Sequence, residues 1–398
     1  MKRFRTSPAV VVVITPYLHH DGSSLLLCRF LRWAQLRQRD VVFEILYRYN
    51  GPLKEHLLSL PNVRGVKPLV AVRRRLLHHV ESRLQARAMS ALLLNADAIY
   101  CNTVVGLQCL QDLLDSLGLL PERLPRVSVH VRELGYWIQR SGISRQSFQR
   151  LANCIIADSQ LTATHLQAYL GLGDESLCVI DEYCDTEEIV RWRGCDRLRE
   201  EFNIPRERQL VGMAGTIEWR KGPDIFLQIA KHLATGMSNP PLFAWVGGGD
   251  PMTTYQIESD IKRLGLESMV CFTGSRENPY PYFDSFDVFL LTSREEPFGA
   301  VCLETAMLAI PSMCFSGCAG AESFIAAGAG IVVDRFDVAA MADALQKLLE
   351  DDAMRRNLGE RAKSECQAGH ALDILLPRLL AEVLGEGPQP MPSGLQHP

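Results

Sequence analysis

The chain has 398 residues, 47% apolar and 22% charged, with a formal net charge of −4. That is globular composition, which excludes full-length disorder, collagen and coiled coil, and at roughly 150–200 residues per domain it implies two or three domains. The best apolar run near the start, Ala9 to Ile14, is followed by Pro16; it falls far short of the roughly 18–20 residues a membrane span needs, and no secretory signal is expected.

The twelve cysteines scatter singly with no CxxC. They read as buried free thiols of a reducing cytosol. No Cys/His pair has zinc-ligand spacing, and Cys314 with Cys318 makes only a lone CxxxC. The charge is uneven. Residues 1–150 carry 22 Lys+Arg against 10 Asp+Glu, whereas residues 151–398 carry 20 against 36. The bland reading is unevenly solvated surface. The sharper one is an N-terminal domain facing something anionic: a lipid headgroup layer, a phosphorylated acceptor or nucleic acid.

In chain order, strands are expected at Ala9–Ile14, Val41–Leu46, Ala98–Cys101, Val127–His130 and Cys154–Asp158. A helix is expected from about Leu25 to Arg39. A second, from about Leu69 to Leu94, carries Arg73, Arg74, Arg75, His78, His79, Arg83 and Arg87. Its Leu76, Leu77, Val80 and Leu84 give an apolar face, so it reads either as an interfacial helix or as a solvated face over core. The rhythm restarts with strands Leu210–Ala214, Leu242–Val246, Val270–Phe272 and Val288–Leu291, then IPSMCF and Gly330–Val333. Helices are expected at Pro223–Leu233 and about Ala300–Leu308. Strand–loop–helix alternation in two halves makes an α/β protein of two doubly wound parallel sheets. The expected division is 1–190, 191–372, a C-terminal helix over 373–387 that crosses back to the N-terminal domain, and a disordered Pro-rich tail over 388–398. The charged join lies near 185–208.

Ligands of such sheets collect beyond the carboxyl ends of the strands. Three loops there carry chemistry. GTIEWRKG, Gly215–Gly222, sets Arg220 and Lys221 just before a helix that opens with Pro223; a helix N-terminus with two cations suits phosphate, and a solvated basic turn is the alternative. It is not a Walker loop, which argues against an ATPase. GGGD, Gly247–Asp250, lets backbone approach a ligand, or is a tight surface turn; the absence of GxGxxG disfavours a dehydrogenase. In SREEPFGAVCLE, Glu296 sits in the loop and Glu304 one turn into the following helix. Both carboxylates can then approach one ligand, with Gly299 and Ala300 presenting N–H groups. Ordinary capping and surface glutamates are the other reading.

The segment Glu296-Pro-Phe-Gly-Ala-Val-Cys-Leu-Glu304 resembles the E-x7-E signature of retaining glycosyltransferases of family 4. TSREEPFG, the upstream WRKGPDIF and the downstream loop with Glu322 follow the family order, and HHDGSSLLLCRFLRW, GPLKEH, NTVVG, HVREL and ADSQLT are similar in the N-terminal half. The resemblance spans roughly residues 10–370. It implies the GT-B architecture, two Rossmann-like domains facing a cleft, with the nucleotide-sugar on the C-terminal domain and the acceptor on the N-terminal one. Lys221 matches the lysine that neutralises the donor diphosphate. Glu304 matches the glutamate that holds the ribose, and Glu296 the one beside the donor sugar hydroxyls. Phe298, Gly299 and Ala300 match the loop whose backbone touches sugar and phosphate. Ser275 and Arg276 lie where the family backbone meets the base, and Gly247 joins the donor loops. Gly22 with Ser23 matches the first N-terminal loop, close to the phosphates.

Two positions depart from the family. Thr216 stands where an arginine commonly follows the first glycine, with Arg220 as the nearby charge. In His130-Val131-Arg132-Glu133, Arg132 stands where the family has a histidine near the reacting sugar; arginine stays protonated and cannot act as a base. The resemblance implies a cytoplasmic, metal-independent retaining hexosyltransferase for polysaccharide biosynthesis. No cofactor is expected beyond the nucleotide-diphosphate sugar donor substrate. Its acceptor is a glycan or lipid-linked molecule, with peripheral contact to the inner membrane face and no nucleic acid as partner. A catalytically weak nucleotide-sugar-binding protein and a nucleotide-sugar epimerase are the competing readings.

Overall fold

The computed structural model describes residues 7–38, 40–69, 80–171 and 177–387. Arg73, Arg74, Arg75, His78 and His79 of the basic segment, and the tail after Gly387, lie outside the described residues. The chain forms two compact units. The first runs to Asp181 and resumes at Leu372; the second is Glu182–Ala371.

The first unit is built on strands β1 (Ala9–Tyr17), β2 (Val41–Tyr49), β3 (Val63–Pro68), β4 (Ala98–Asn102), β5 (Arg126–Val131), β6 (Cys154–Ala157) and β7 (Leu177–Val179). They pair in parallel in the order β3-β2-β1-β4-β5-β6-β7. The β-branched run Val10–Ile14 suits the centre of this sheet, where both faces are covered. Helix Gly22–Arg37 starts three residues before the expected Leu25, because the Asp21 carboxylate accepts from the Ser24 amide (3.0 Å) and caps it. The described part of the basic segment is helix Val80–Asn95.

Helix Leu372–Leu384 also belongs to the first unit. It buries Leu376, Leu379 and Val383. Trp33 Nε1 donates to Asp373 Oδ1 (2.7 Å), and Arg37 adds bonds of 3.1 and 2.9 Å to the same carboxylate. At the helix's other end, Arg126 Nε donates to the Glu382 carbonyl (3.1 Å).

The second unit holds β8 (Leu210–Ala214), β9 (Leu242–Val246), β10 (Val270–Gly274), β11 (Val288–Leu291), β12 (Ser312–Phe315) and β13 (Gly330–Val333), in parallel order β10-β9-β8-β11-β12-β13. Its helices open at sequence-encoded starts. Pro223 leads Pro223–Gly236, and Asp250 caps Pro251–Leu264. Trp245, Phe226 and Phe243 interlock in its core. Nine of the twelve cysteines are buried and all twelve are free.

Each sheet grows outward in both directions from one central pair, β1/β4 in the first unit and β8/β11 in the second. Loops leaving such a pair diverge and open a crevice at the carboxyl ends of the strands.

The Arg37–Asp373 ion pair is exposed on both sides and so contributes little. The Trp33 bond matters more, because Trp33 is buried. Asp373→Ala is expected to lower the first unit's stability by about 1–2 kcal/mol, read by urea unfolding; Arg37→Ala is expected to have a much smaller effect.

Candidate functional site

In the second unit the exits of β8 and β11 are joined closely. Gly222 has φ of +68°, and a Cβ there would lie 2.2 Å from the Thr292 carbonyl oxygen, so only glycine lets the two loops meet. Thr292 Oγ1 donates to the Lys221 carbonyl (3.0 Å), and the Arg294 amide to the Arg220 carbonyl (2.7 Å). The Arg294 guanidinium grips Asp224 with bonds of 2.9 and 2.6 Å and lies over the Trp219 ring.

This joint delivers Lys221 Nζ onto Glu296 Oε2. Ser293 Oγ donates to the same oxygen (3.1 Å). The Arg220 guanidinium lies 3.6 Å from Glu296 Oε1, while it bonds Glu218 and the Glu295 carbonyl at 2.8 Å each. Glu296 is 6% exposed. Burial alone would raise its pKa, but the charges of Lys221 and Arg220 outweigh that and hold it below the ordinary carboxylate value.

The rest of the loop is strapped down. The Glu296 amide donates to the Cys318 carbonyl (2.8 Å), and the Gly320 amide to the Glu296 carbonyl (3.0 Å). Phe298 is buried against the His370 ring. Gly299, at φ of +100°, starts helix Ala300–Met307 without a side-chain cap, and Glu304 is buried one turn in. Two cations, a helix N-terminus and a carboxylate thus share one strand crevice, the combination that binds a phosphate and an adjoining polyol.

The other expected donor residues leave neighbouring strands. Thr216 is exposed after β8, and Gly247 follows β9, its amide donating to the Gly274 carbonyl (3.1 Å). Ser275 is exposed beside Gly248. Arg276 turns to Glu201 (2.5 Å) and covers the Tyr282 ring. The structure therefore gathers Arg220, Lys221 and Glu296 by direct contact, and carries Arg276 to a separate cluster.

In the first unit, β1, β4 and β5 bring a second group together. Gly22 is exposed at the start of helix Gly22–Arg37, and Ser23 Oγ donates to Asp21 (2.7 Å). Asn102, fully buried at the end of β4, donates to the Ser23 carbonyl (3.2 Å) and accepts from Arg132 Nη1 (2.6 Å). Glu133 Oε2 accepts from the Arg132 amide (2.9 Å) and the Val104 amide (3.2 Å). His130 is fully buried, 2.9 Å from the Tyr100 hydroxyl. Burial, with Arg132 nearby, drives its pKa well below the usual histidine range, so the ring is neutral. Burial also raises Glu133 to about 7, against the bonds from Arg132 and Val104.

Sequence reasoning did not single out Asn102, Ser293 or Glu218. Asn102 opens the NTVVG stretch at a strand exit, and a polar residue ending a fully buried strand is the signal that marks it. Among the described residues, no group of three or more His, Cys, Asp and Glu side chains is placed to hold a metal ion, and no helix is long and apolar enough to cross a membrane.

Residues 195–365 match the family Glycosyl transferases group 1. Over that region the chain is similar to this family. All of the Arg220, Lys221 and Glu296 cluster lies inside the group 1 region. Among curated relatives, the D-inositol 3-phosphate glycosyltransferase of Corynebacterium urealyticum is 29% identical over 177 residues, covering 43% of this chain and 42% of its own. The lipopolysaccharide core biosynthesis glycosyltransferase LpsE of Rhizobium meliloti is 26% identical over 221 residues, 55% of this chain and 60% of its own. The chain spans about half the length of the curated relatives it matches. Among solved structures, Anabaena Alr3699/HepE in complex with UDP superposes with a TM-score of 0.73 at 18% identity, over 95% of this chain and 99% of that one. WaaG, a glycosyltransferase involved in lipopolysaccharide biosynthesis, gives 0.68 at 15% identity, over 94% and 100%. The fold of the group 1 region and its partner unit is thus GT-B, two Rossmann-like parallel-sheet units.

A carboxyl raised from 4.5 to about 7 holds its proton more tightly in the folded state. Its contribution is complete below the unfolded value and is lost as pH rises through the window between them. Glu133→Gln removes that loss. The variant's melting temperature is expected to equal or trail wild type at pH 5 and to exceed it by roughly 3–6 °C at pH 8, measured by a thermal-melt pH series.

Proposed function

We propose that the protein is a retaining hexosyltransferase that moves a sugar from a nucleoside-diphosphate donor to a glycan or lipid-linked acceptor. The observation that carries the reading is the contact of Lys221 and Arg220 with buried Glu296 at the β8/β11 crevice. Helix Ala300–Met307 begins beside it. A diphosphate entering this crevice competes with Glu296 for Lys221. Once Lys221 has turned to phosphate, the Glu296 carboxylate is released to accept hydrogen bonds from the sugar hydroxyls. Glu304 takes the ribose hydroxyls, while Phe298, Gly299 and Ala300 supply backbone contacts to sugar and phosphate.

In the transfer step the bond from the anomeric carbon to the phosphate oxygen breaks. An acceptor hydroxyl oxygen bonds to the same face of that carbon, and its proton passes to the departing phosphate oxygen. Lys221, Arg220 and the helix N-terminus stabilise the charge that develops there. No step calls for a metal. Arg132, held by Asn102, serves as a fixed cation and donor. The names of relatives that act on lipopolysaccharide core and inositol phosphate support an acceptor rich in hydroxyls. The UDP and UDP-glucose complexes of the Anabaena neighbour put UDP-sugars first among donors to try. Thr216 and Arg132 favour a second reading, binding without transfer, which a transfer or donor-hydrolysis assay separates from the first.

Thermal stability with UDP-, GDP-, ADP- and CMP-sugars tests donor binding. A ligand at ~100 times its Kd adds about 2.7 kcal/mol, and a shift with one base alone is expected. Lys221→Ala and Glu304→Ala should each weaken that donor about ten-fold or more. Unchanged affinity in both removes the site. Glu296→Gln separates the roles further. Without the competing carboxylate, nucleotide diphosphate is expected to bind at least as tightly as in wild type, while transfer falls by about 100-fold.

A further inference from the structure

The carboxyl ends of β1 and β2 carry two aromatic rings that the mechanism above does not use. Tyr17 and Tyr49 are register partners at the strand ends. Their rings lie 13° from parallel with centroids 5.3 Å apart, and the residues remain 39% and 52% exposed. Exposed aromatics held together in this way make one contiguous apolar spot rather than scattered surface carbon.

Their footing is rigid. The Leu18 amide donates to the Tyr49 carbonyl (3.2 Å), and the Leu53 amide to the Leu18 carbonyl (3.1 Å). A Cβ at Gly51 would lie 2.1 Å from the Leu18 oxygen, so glycine is what allows the two exits to close on each other. A polar rim adjoins the rings. Arg48, next to Tyr49 in the strand, is ion-paired with Asp112, and Asp112 also accepts from Gln108 Nε2 (2.8 Å). The His19 ring stands 6.3 Å from that of Tyr17.

The outward ring face of this stacked pair, beside an ion-paired rim of donors and acceptors, matches a pyranose, which offers C–H groups on one face and hydroxyls at its edge. The Arg48–Asp112 pair has no net charge to offer a phosphate, which turns the site away from a nucleotide. We propose that Tyr17 and Tyr49 form a stacking platform for a hexose ring, with Arg48 and Asp112 bonding its hydroxyls. Calling that hexose part of the acceptor rests on the glycosyltransferase reading.

The test is saturation-transfer NMR on the full chain with the methyl α- and β-glycosides of glucose, galactose, mannose and N-acetylglucosamine. At least one should bind, with transfer strongest to its ring C–H protons. Tyr17→Ala and Tyr49→Ala should each weaken it about ten-fold, and Tyr49→Phe should keep it. Thermal shifts with nucleotide-sugars should be unchanged in all three variants. The platform is overturned if none of the glycosides binds, if the alanine variants bind as wild type, or if they lose nucleotide-sugar binding in step. Failure of the transferase reading shows separately, as wild-type protein that no nucleotide-sugar stabilises.

Discussion

A buried carboxylate between two cations organises the second unit. Glu296 out of water is costly unless its charge is met at close range, and Lys221 and Arg220 come from a loop 75 residues earlier. Every feature around them serves that meeting. Gly222 brings the loops within backbone contact, Thr292 and Arg294 bond across the joint, and Asp224 fixes Arg294. Removing either partner would strand a desolvated charge, so the three side chains hold one another in place; in the proposed transferase that is the geometry offered to the donor diphosphate. The same pairing restrains Lys221 until a stronger anion arrives. Preorganisation and ligand competition are therefore two aspects of one contact.

The first unit solves the same topological problem with different chemistry. Its crevice, at β1/β4, also opens where the sheet changes its direction of growth. There the cation is Arg132, whose guanidinium donates to the Asn102 side-chain oxygen, and the carboxyl is Glu133, which accepts from the Arg132 and Val104 backbone amides. Asn102 links the start of helix Gly22–Arg37 to Arg132 without adding charge. Asn102 meets the guanidinium with a neutral oxygen, whereas Glu296 meets its two neighbours with a full negative charge.

The sequence was most legible where physics is local. β8, β9, β11 and β13 lie at the residues expected because each is a short apolar run bounded by turn chemistry. β3 and β7 went unread: both are edge strands, β3 interrupts its valines with Arg64, Gly65 and Lys67, and β7 is only three residues long. The passage between units lies at Asp181/Glu182 rather than in the charged 185–208 stretch. It does not look like a linker because Glu182, Tyr183 and Cys184 are buried, and the Cys184 amide bonds the His370 carbonyl (3.0 Å). Among site residues, Lys221 and Glu296 were readable from the loops that carry them. The direction of Arg220 was not, because its partners Glu218 and Glu296 are fixed by a fold that spacing does not report.

The two buried glutamates show why residue type and burial do not set a role by themselves. Glu296 and Glu133 both leave central strands of parallel sheets, and desolvation is the largest influence on each. Glu296 faces two full cations, which hold its pKa below the ordinary carboxylate value despite burial. Glu133 meets two backbone amides and the more weakly coupled Arg132, which leaves it near 7. At neutral pH the second-unit crevice therefore has a settled charge, while the first-unit crevice changes charge with small shifts in pH. In the proposed transferase, an ionised Glu296 keeps Lys221 and Arg220 charged and in place until the donor diphosphate takes them over. A carboxyl poised near neutrality, beside a fixed arginine and a neutral histidine, suits a surface that meets uncharged hydroxyls, because it can bond them in either protonation state.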